Sequence, residues 1–251
     1  MEKHSLGITR EHLSPDFLFS AYSFAEMALK LEGGPVTSEG MIPLQHRTYV
    51  MASILSSVAF LEATINELFY VASDKLLGSG RLSKEYRNLL SPIWTVEKFR
   101  KGARILEKYQ TALLLLNKEP FEEGKEPYHS TKLSIDIRNA LVHYVPETNE
   151  ITLDQCDEDF GRLEKKLKGK FKTNPFSKDF PVIASSHPDK RAKYPFFPER
   201  CLSYGCSEWA ARSSLSFVDS FFDRINVTWH YKEYVSKLPK LKQKVNLGTP
   251  Y

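Results

Sequence analysis

Residues 137–144 read Ile-Arg-Asn-Ala-Leu-Val-His-Tyr, and a helix would sort these side chains onto two different faces. At about 100° per residue, one face carries an apolar stripe about 100° wide, which is typical of packing against neighbouring helices. The members of this stripe are Leu133, Ile137, Ala140, Leu141 and Tyr144. The stretch therefore predicts a helix with one side in a hydrophobic core.

The opposite face of the same helix has an unusual composition. Over an arc of roughly 140° it carries a cation, an amide and an imidazole around two β-branched apolar residues. These residues are Arg138, Val142, Ile135, Asn139 and His143. A solvent-exposed face does not require Ile135 or Val142, so we expect it to contact another subunit or another helix. Arg138 and His143 would lie at the edges of that contact.

The sequence Arg138-Asn139-x-x-x-His143 resembles the R-x4-6-H motif of the HEPN superfamily, the "higher eukaryotes and prokaryotes nucleotide-binding" domains. Many members of that superfamily are ribonucleases. The stretch Ala-Phe-Leu-Glu-Ala at residues 59–63, within a long predicted helix, also resembles members of the group. The resemblance covers residues 14–145, and the C-terminal part shares only its helical character.

The HEPN resemblance implies RNA cleavage without a metal or a cofactor. A ribose 2′-OH would attack the adjacent phosphorus while His143 transfers a proton and Arg138 stabilises charge on the phosphoryl oxygens. Asn139 would support this pair. Because the family commonly assembles its site from two protomers, Ile135 and Val142 would be dimer contacts. The resemblance further suggests a toxin or defence effector with an antitoxin or a regulatory protein as partner.

Two residues of the long helix, Glu62 and Asn66, are candidates for a supporting role. They lie one turn apart, and Glu62 falls at the border of the apolar stripe of that helix. The resemblance makes Arg138 an attractive partner, because a carboxylate could hold its guanidinium in place for phosphate. Alternatively, Glu62 pairs with another cation and is only structural. His143 could likewise cap helix carbonyls, with Arg138 in an ordinary salt bridge.

One toxin branch of the superfamily has the pattern R-x4-H-x-Y, whose tyrosine a partner nucleotidyltransferase can modify. In this chain Tyr144 directly follows His143, and Val145 occupies the position of that tyrosine. We therefore do not expect this modification here.

Charge and cysteine content place limits on the partners and the compartment. The formal net charge of +4 permits RNA as a partner without requiring it. The three cysteines, at positions 156, 201 and 206, form neither a disulfide framework nor a zinc-ligand spacing, which favours the cytoplasm. Cys201 and Cys206 are predicted to point apart on one helix. We expect no membrane-spanning segment, because no apolar run approaches about 18 residues.

The helical pattern continues along most of the chain and predicts an all-α fold. A helix is predicted from an N-cap at Ser14, with Pro15 at its first position, to Gly33. Further helices are predicted at 45–75, after Ser83 and, beyond a boundary at Pro92, at 95–116. Others are predicted from 130 to 145 before Pro146, at 157–167 and at 198–227. Residues 150–153 are predicted to be extended. The prediction is a HEPN-like helical bundle with a Pro-rich insertion and an additional long C-terminal helix.

We interpret residues 1–231 as one domain that contains an irregular insertion at 169–198, followed by a basic tail at 232–251. The alternative is a division into two domains after residue 145. The basic runs 162–172 and 237–244 could neutralise RNA phosphates, although such runs are more often solvated surfaces. No Gly-rich phosphate loop, His-Glu-x-x-His motif or nucleophile elbow is present. The sequence thus favours a dimeric ribonuclease acting on single-stranded RNA or tRNA. The alternative is a non-catalytic HEPN-like module for dimerisation or for binding a nucleotide, an RNA or a protein.

Overall fold

The computed structural model describes residues 11–34, 41–74, 81–145, 158–177, 180–181, 191–192 and 196–241. Within these ranges the chain is helical, apart from loops and one antiparallel pair of two-residue strands, β1 (Phe180–Pro181) and β2 (Arg191–Ala192). The prediction of an all-α fold is confirmed. The predicted extended segment 150–153 and the N-terminal and C-terminal ends lie outside the described residues.

Helix α1 (Ser14–Glu32) begins at the predicted residue, but its cap differs from the prediction. Leu13 occupies the N-cap position, and Pro15 lies in the first turn, where its missing N–H costs nothing. Ser14 does not cap the helix. Its backbone amide and its hydroxyl donate to the carboxylate of Glu67 at 2.9 and 2.7 Å. Because these partners lie 53 residues apart, sequence alone could not reveal the bond.

Helix α2 (Met41–Ser73) lies at the centre of the bundle and packs against α1 and several later helices. Its core-facing side chains are fully buried, among them Val50, Ile54, Leu61 and Ile65. By length and composition alone, helix residues 44–73 could cross a bilayer, with a mean hydropathy of 1.5 over an apolar window of 18 residues. The expectation that no segment spans a membrane stays a prediction. Half of that apolar window is buried inside the protein, as a central core helix also requires.

Residues 84–115 form three helices, α3 (Lys84–Thr95), α4 (Glu97–Gly102) and α5 (Ile105–Leu115). The predicted boundary at Pro92 and the predicted single helix at 95–116 are therefore wrong. Pro92 lies inside α3, where its missing N–H removes one helical bond, yet the helix continues to Thr95. The real breaks are at Val96 and Arg104, both of which have extended backbone conformations.

Helix α6 (Tyr128–Val142) packs against α2 and against α8 (Tyr204–Ile225). It ends three residues before the predicted limit, with His143 as its C-cap. The predicted helix 198–227 is shorter in the structure, because Ser203 caps the start of α8 and Asn226, at φ 52°, ends it in the left-handed region. The predicted helix at 157–167 is confirmed as α7 (Glu158–Leu167).

The segments on either side of α8 pack onto the helical body where the structure describes them. Residues 196–200 form a kinked turn in which the side chains of Phe196 and Phe197 are buried. After α8, the chain forms the short helix α9 (Lys232–Val235), and Leu241 is buried. The first ten residues of the predicted basic tail thus include core-contacting positions.

Candidate functional site

The apolar stripe of α6 anchors the candidate site in the core. Leu133 and Ile137 are 3% and 0% exposed, and Ala140 and Leu141 are partly buried against the same core. Tyr144 is the exception at 48% exposure, because the helix ends at Val142 and Tyr144 no longer follows the helical period. Its ring lies 6.4 Å from that of Phe197.

The polar residues of the motif lie on the accessible side of this helix. The side chain of Arg138 is partly buried, whereas those of Asn139 and His143 are exposed. Among the described residues, none of these side chains takes part in a hydrogen bond or an ion pair. The backbone N–H of His143 donates to the Asn139 carbonyl at 2.9 Å. This bond caps the helix through the backbone, and the imidazole takes no part in it. Among the described residues, Arg138 and His143 thus have no polar partner.

Exposed apolar residues lie next to this pair. Val142 is 55% exposed and Val145 is 71% exposed, and together with Tyr144 they form what we call the α6 end patch. Ile135, the other predicted dimer contact, is partly buried against the core. Val142 is thus fully available for a contact between subunits, whereas Ile135 already has partners within the chain.

Glu62 and Asn66 are not brought to Arg138. Glu62 is exposed on α2, and no hydrogen bond or ion pair joins it to Arg138 among the described residues. The Oδ1 atom of Asn66 instead accepts from Nζ of Lys108 on α5 at 2.9 Å. Glu62 and Asn66 therefore do not support Arg138 within one chain. The cation that lies next to this part of α2 is Lys108 of α5.

Lys108 is a buried cation that sequence reasoning did not single out. Its side chain is only 2% exposed, and Nζ also donates to the carbonyl of Arg100 at 3.0 Å. Burial lowers the pKa of Lys108, while the negative charge of Glu62 opposes this effect. A signal was present in the sequence, since Lys108 falls on the stripe formed by Ile105, Tyr109 and Ala112.

The two described cysteines are closer than the sequence predicts. Cys201 precedes α8 and Cys206 lies in its first turn, so they do not share one helix, and both are fully buried. Burial raises the pKa of the Cys206 thiol, and the neighbouring Cys201 thiol raises it further. The prediction that they point apart is wrong. Because a thiol with a raised pKa is a poor nucleophile, this pair carries no evident chemistry.

Within the described ranges, no group of three or more His, Cys, Asp or Glu side chains could hold a metal ion. Comparison of the chain with protein-family models, with curated proteins and with solved structures found no match.

Proposed function

We propose that this chain is a metal-independent endoribonuclease of the HEPN type, with Arg138 and His143 at a site formed between two protomers. One observation carries the proposal. A cation and an imidazole, neither paired among the described residues, flank the exposed Val142 on a helix whose other face is fixed in the core. Such an arrangement places a phosphate-binding group and a proton-transferring group on a helix that core packing holds in position.

Helix geometry explains why a second protomer is needed. Arg138 and His143 are five residues apart, which on a helix separates them by about 7.5 Å along the axis and about 140° around it. They therefore do not converge within one chain. An isologous contact through the α6 end patch would bring two copies of the pair around one groove. Asn139, exposed beside Arg138, would be available to bind the same phosphate.

In the proposed reaction a ribose 2′-oxygen bonds to the adjacent phosphorus and the 5′-oxygen of the next nucleotide leaves. The 2′-OH gives up one proton and the leaving 5′-oxygen gains one, and His143 serves in this transfer. Arg138 binds the non-bridging oxygens as negative charge builds on them. The products would be a 2′,3′-cyclic phosphate and a 5′-hydroxyl. We place this activity in the cytoplasm, on single-stranded RNA or tRNA, in a toxin or defence effector controlled by an antitoxin or a regulatory protein.

The first experiment is incubation of labelled single-stranded RNA and tRNA with purified protein in EDTA. We expect fragments ending in 2′,3′-cyclic phosphate from the wild type, and a loss of about 100-fold or more in rate for His143→Ala. His129→Ala is the matched control, since His129 lies on the same helix and its imidazole makes no hydrogen bond or ion pair with a described residue. Equal cleavage by the wild type and His143→Ala would rule out the proposed role of His143.

A second experiment tests the dimer. Val142→Asp should dissociate the protein in analytical ultracentrifugation and lower cleavage along with it, because a charge would enter an apolar contact. Leu114→Asp is the control, since Leu114 is also exposed, at 61%, but lies on α5. A monomeric wild type, or a dimer that withstands Val142→Asp, would contradict the proposed interface.

The alternative function is a non-catalytic HEPN-like module that uses the same surface for dimerisation or for binding a nucleotide, an RNA or a protein. The separation of Glu62 from Arg138 favours it, because the guanidinium lacks the expected carboxylate within the chain. This alternative predicts a dimer that cleaves no RNA at any pH or with any added metal ion.

A further inference from the structure

A cleft with a volume of about 880 Å³ lies between the end of α1, the start of α8 and the segment 170–172, and Lys240 closes one side. Clefts of about 300–1,000 Å³ are typical of sites for small organic ligands. Among the described residues, five cations line this cleft, and three of them come from the two basic runs of the sequence, Lys170 and Lys172 from one and Lys240 from the other. The other two are Lys30 and Arg212. These runs therefore meet in space around a cavity.

The cleft has a fixed floor. A Cβ atom at Gly205 would lie 3.1 and 3.2 Å from the backbone nitrogen and oxygen of Lys172, so a glycine permits segment 170–172 to approach the first turn of α8. The buried Ser203 hydroxyl donates to the Lys172 carbonyl at 2.6 Å. This bond holds the segment against the helix and sets the position of Lys172.

Two aromatic rings form one wall of the cleft. The rings of Phe171 and Trp209 lie 5.6 Å apart, and both side chains are only partly buried. Nζ of Lys170 lies 5.9 Å from the centre of the Trp209 ring. A flat ligand ring could stack on such a wall, since stacking does not depend on an exact hydrogen-bonding pattern.

The charges around the cleft leave an excess of positive charge. Its three carboxylates already have partners, namely Glu26 with Lys30 at 3.3 Å, Glu208 with Arg212 at 2.9 Å, and Glu32 with His46 at 2.8 Å. Lys172 and Lys240 have no ion pair among the described residues. Lys170 lies 3.5 Å from Glu126, which is largely exposed. An anionic group near Lys172 and Lys240 would therefore be stabilised.

Tyr204 also lines this cleft. It is 9% exposed, and its hydroxyl is buried beside the carboxylate of Glu208. Burial raises the pKa of Tyr204, and the hydrogen bond and negative charge of Glu208 raise it further, so the hydroxyl stays protonated. Tyr204 therefore adds no negative charge to the cleft.

We propose that this cleft binds a nucleoside monophosphate, with the base against Trp209 and Phe171 and the phosphate near Lys172 and Lys240. This site is separate from the proposed nuclease site. Lys170 contacts Ser130 in the first turn of α6, at 3.4 Å, whereas His143 lies 13 residues further along, about 20 Å by helical rise.

The test is isothermal titration of the full-length protein with AMP, GMP, UMP, adenosine and inorganic phosphate. We expect the mononucleotides to bind more tightly than adenosine or phosphate alone, because only they supply both the ring and the charge. Trp209→Ala should weaken binding by about 5-fold to 150-fold through lost stacking. Trp209→Phe should retain most of the affinity, since a ring remains.

Charge variants complete the test. Lys172→Glu should weaken binding of the mononucleotide at least about tenfold, whereas Lys98→Glu, at an exposed lysine of α4, should leave it unchanged. The circular dichroism and melting temperature of each variant establish that it is folded. Binding of an RNA oligonucleotide but of no mononucleotide would overturn the proposal in favour of an RNA track. Equal affinity for adenosine and AMP, or equal losses in Lys172→Glu and Lys98→Glu, would also overturn it.

The two proposals can fail separately. His143→Ala should bind mononucleotides as the wild type does, and Trp209→Ala should be titrated for AMP independently of any RNA cleavage. A protein that binds AMP in the cleft but cuts no RNA would retain this inference while excluding the nuclease.

Discussion

The two ends of α6 differ in how they are held. The N-terminal half is buried and bonded: Thr131 is fully buried, and its Oγ1 donates to the Pro127 carbonyl at 2.9 Å and also approaches the Ser213 carbonyl of α8 at 3.2 Å. The Ser130 hydroxyl donates to the carboxylate of Glu126 at 2.6 Å. The C-terminal end has exposed side chains at Asn139, Val142 and His143 that make no polar contact with described residues. One half stabilises the monomer, which leaves the other available for an external partner.

The largest effect that distinguishes the two halves should be on stability. Leu133→Ala should lower the free energy of unfolding by about 2–5 kcal/mol, because it leaves a cavity at a position only 3% exposed. Val142→Ala should change it by less than about 0.5 kcal/mol, measured by urea denaturation of the monomer. Similar losses in both variants would remove the contrast between the two halves.

The next effect concerns activity. Arg138→Ala should lower the rate of RNA cleavage by about 10²–10³-fold, as the loss of one charge-stabilising donor does, while its melting temperature stays near that of the wild type. Arg138→Lys should restore only part of the rate, because an ammonium cannot bind phosphate in a bidentate manner. Arg100→Ala, at an exposed arginine of α4, serves as the control. A rate for Arg138→Ala equal to that of the control would place the chemistry elsewhere.

A smaller effect concerns the buried hydroxyl of Thr131, which lies between α6 and α8. Thr131→Val keeps the shape of the side chain but removes the donor that the carbonyls of Pro127 and Ser213 share, so it should cost about 1 kcal/mol of unfolding free energy. Chemical denaturation would measure this loss, and RNA cleavage by the folded variant should be unchanged. A large loss of cleavage with unchanged stability would mean that the N-terminal half also serves the site.

The smallest effect is a pH dependence at Glu126. Burial acts to raise its pKa, but hydrogen bonds from Ser130 and the charge of Lys170 outweigh this, so the pKa is lowered from 4.5. A carboxyl with a lowered pKa in the folded state contributes stability above its unfolded pKa and loses it as the pH falls. The wild type should therefore lose more stability than Glu126→Gln below about pH 4.5, measured by urea denaturation from pH 3 to 7. Parallel curves would show that Glu126 contributes nothing, and the effect should be small because its side chain is largely exposed.

Sequence patterns predicted α6 well because its stripe is a local property. Leu133 and Ile137 recur at the helical period, and the structure buries both. The same reasoning failed at Pro92, which was predicted to divide two helices although it lies inside α3. The loss of one N–H bond at Pro92 did not end the helix, and the true breaks at Val96 and Arg104 contain no proline.

The candidate site also combines features that the sequence predicts with contacts that it does not. The exposed positions of Val142 and His143 follow from the face of α6 on which they lie. The pairing of Asn66 with Lys108 could not be predicted, because the partners are 42 residues apart and only the packing of α5 on α2 brings them together. The cleft near Gly205 depends in the same manner on an approach between two distant segments.

The sequence by itself determined the helical class, the buried stripe of α6 and the unusual composition of its other face, because periodicity and composition act within a few turns. Only the tertiary structure decided which polar groups have partners. It paired Ser14 with Glu67 and Lys108 with Asn66, left Arg138 and His143 without partners among the described residues, and joined two distant basic runs around one cleft. Such contacts depend on long-range packing, which local propensity does not encode.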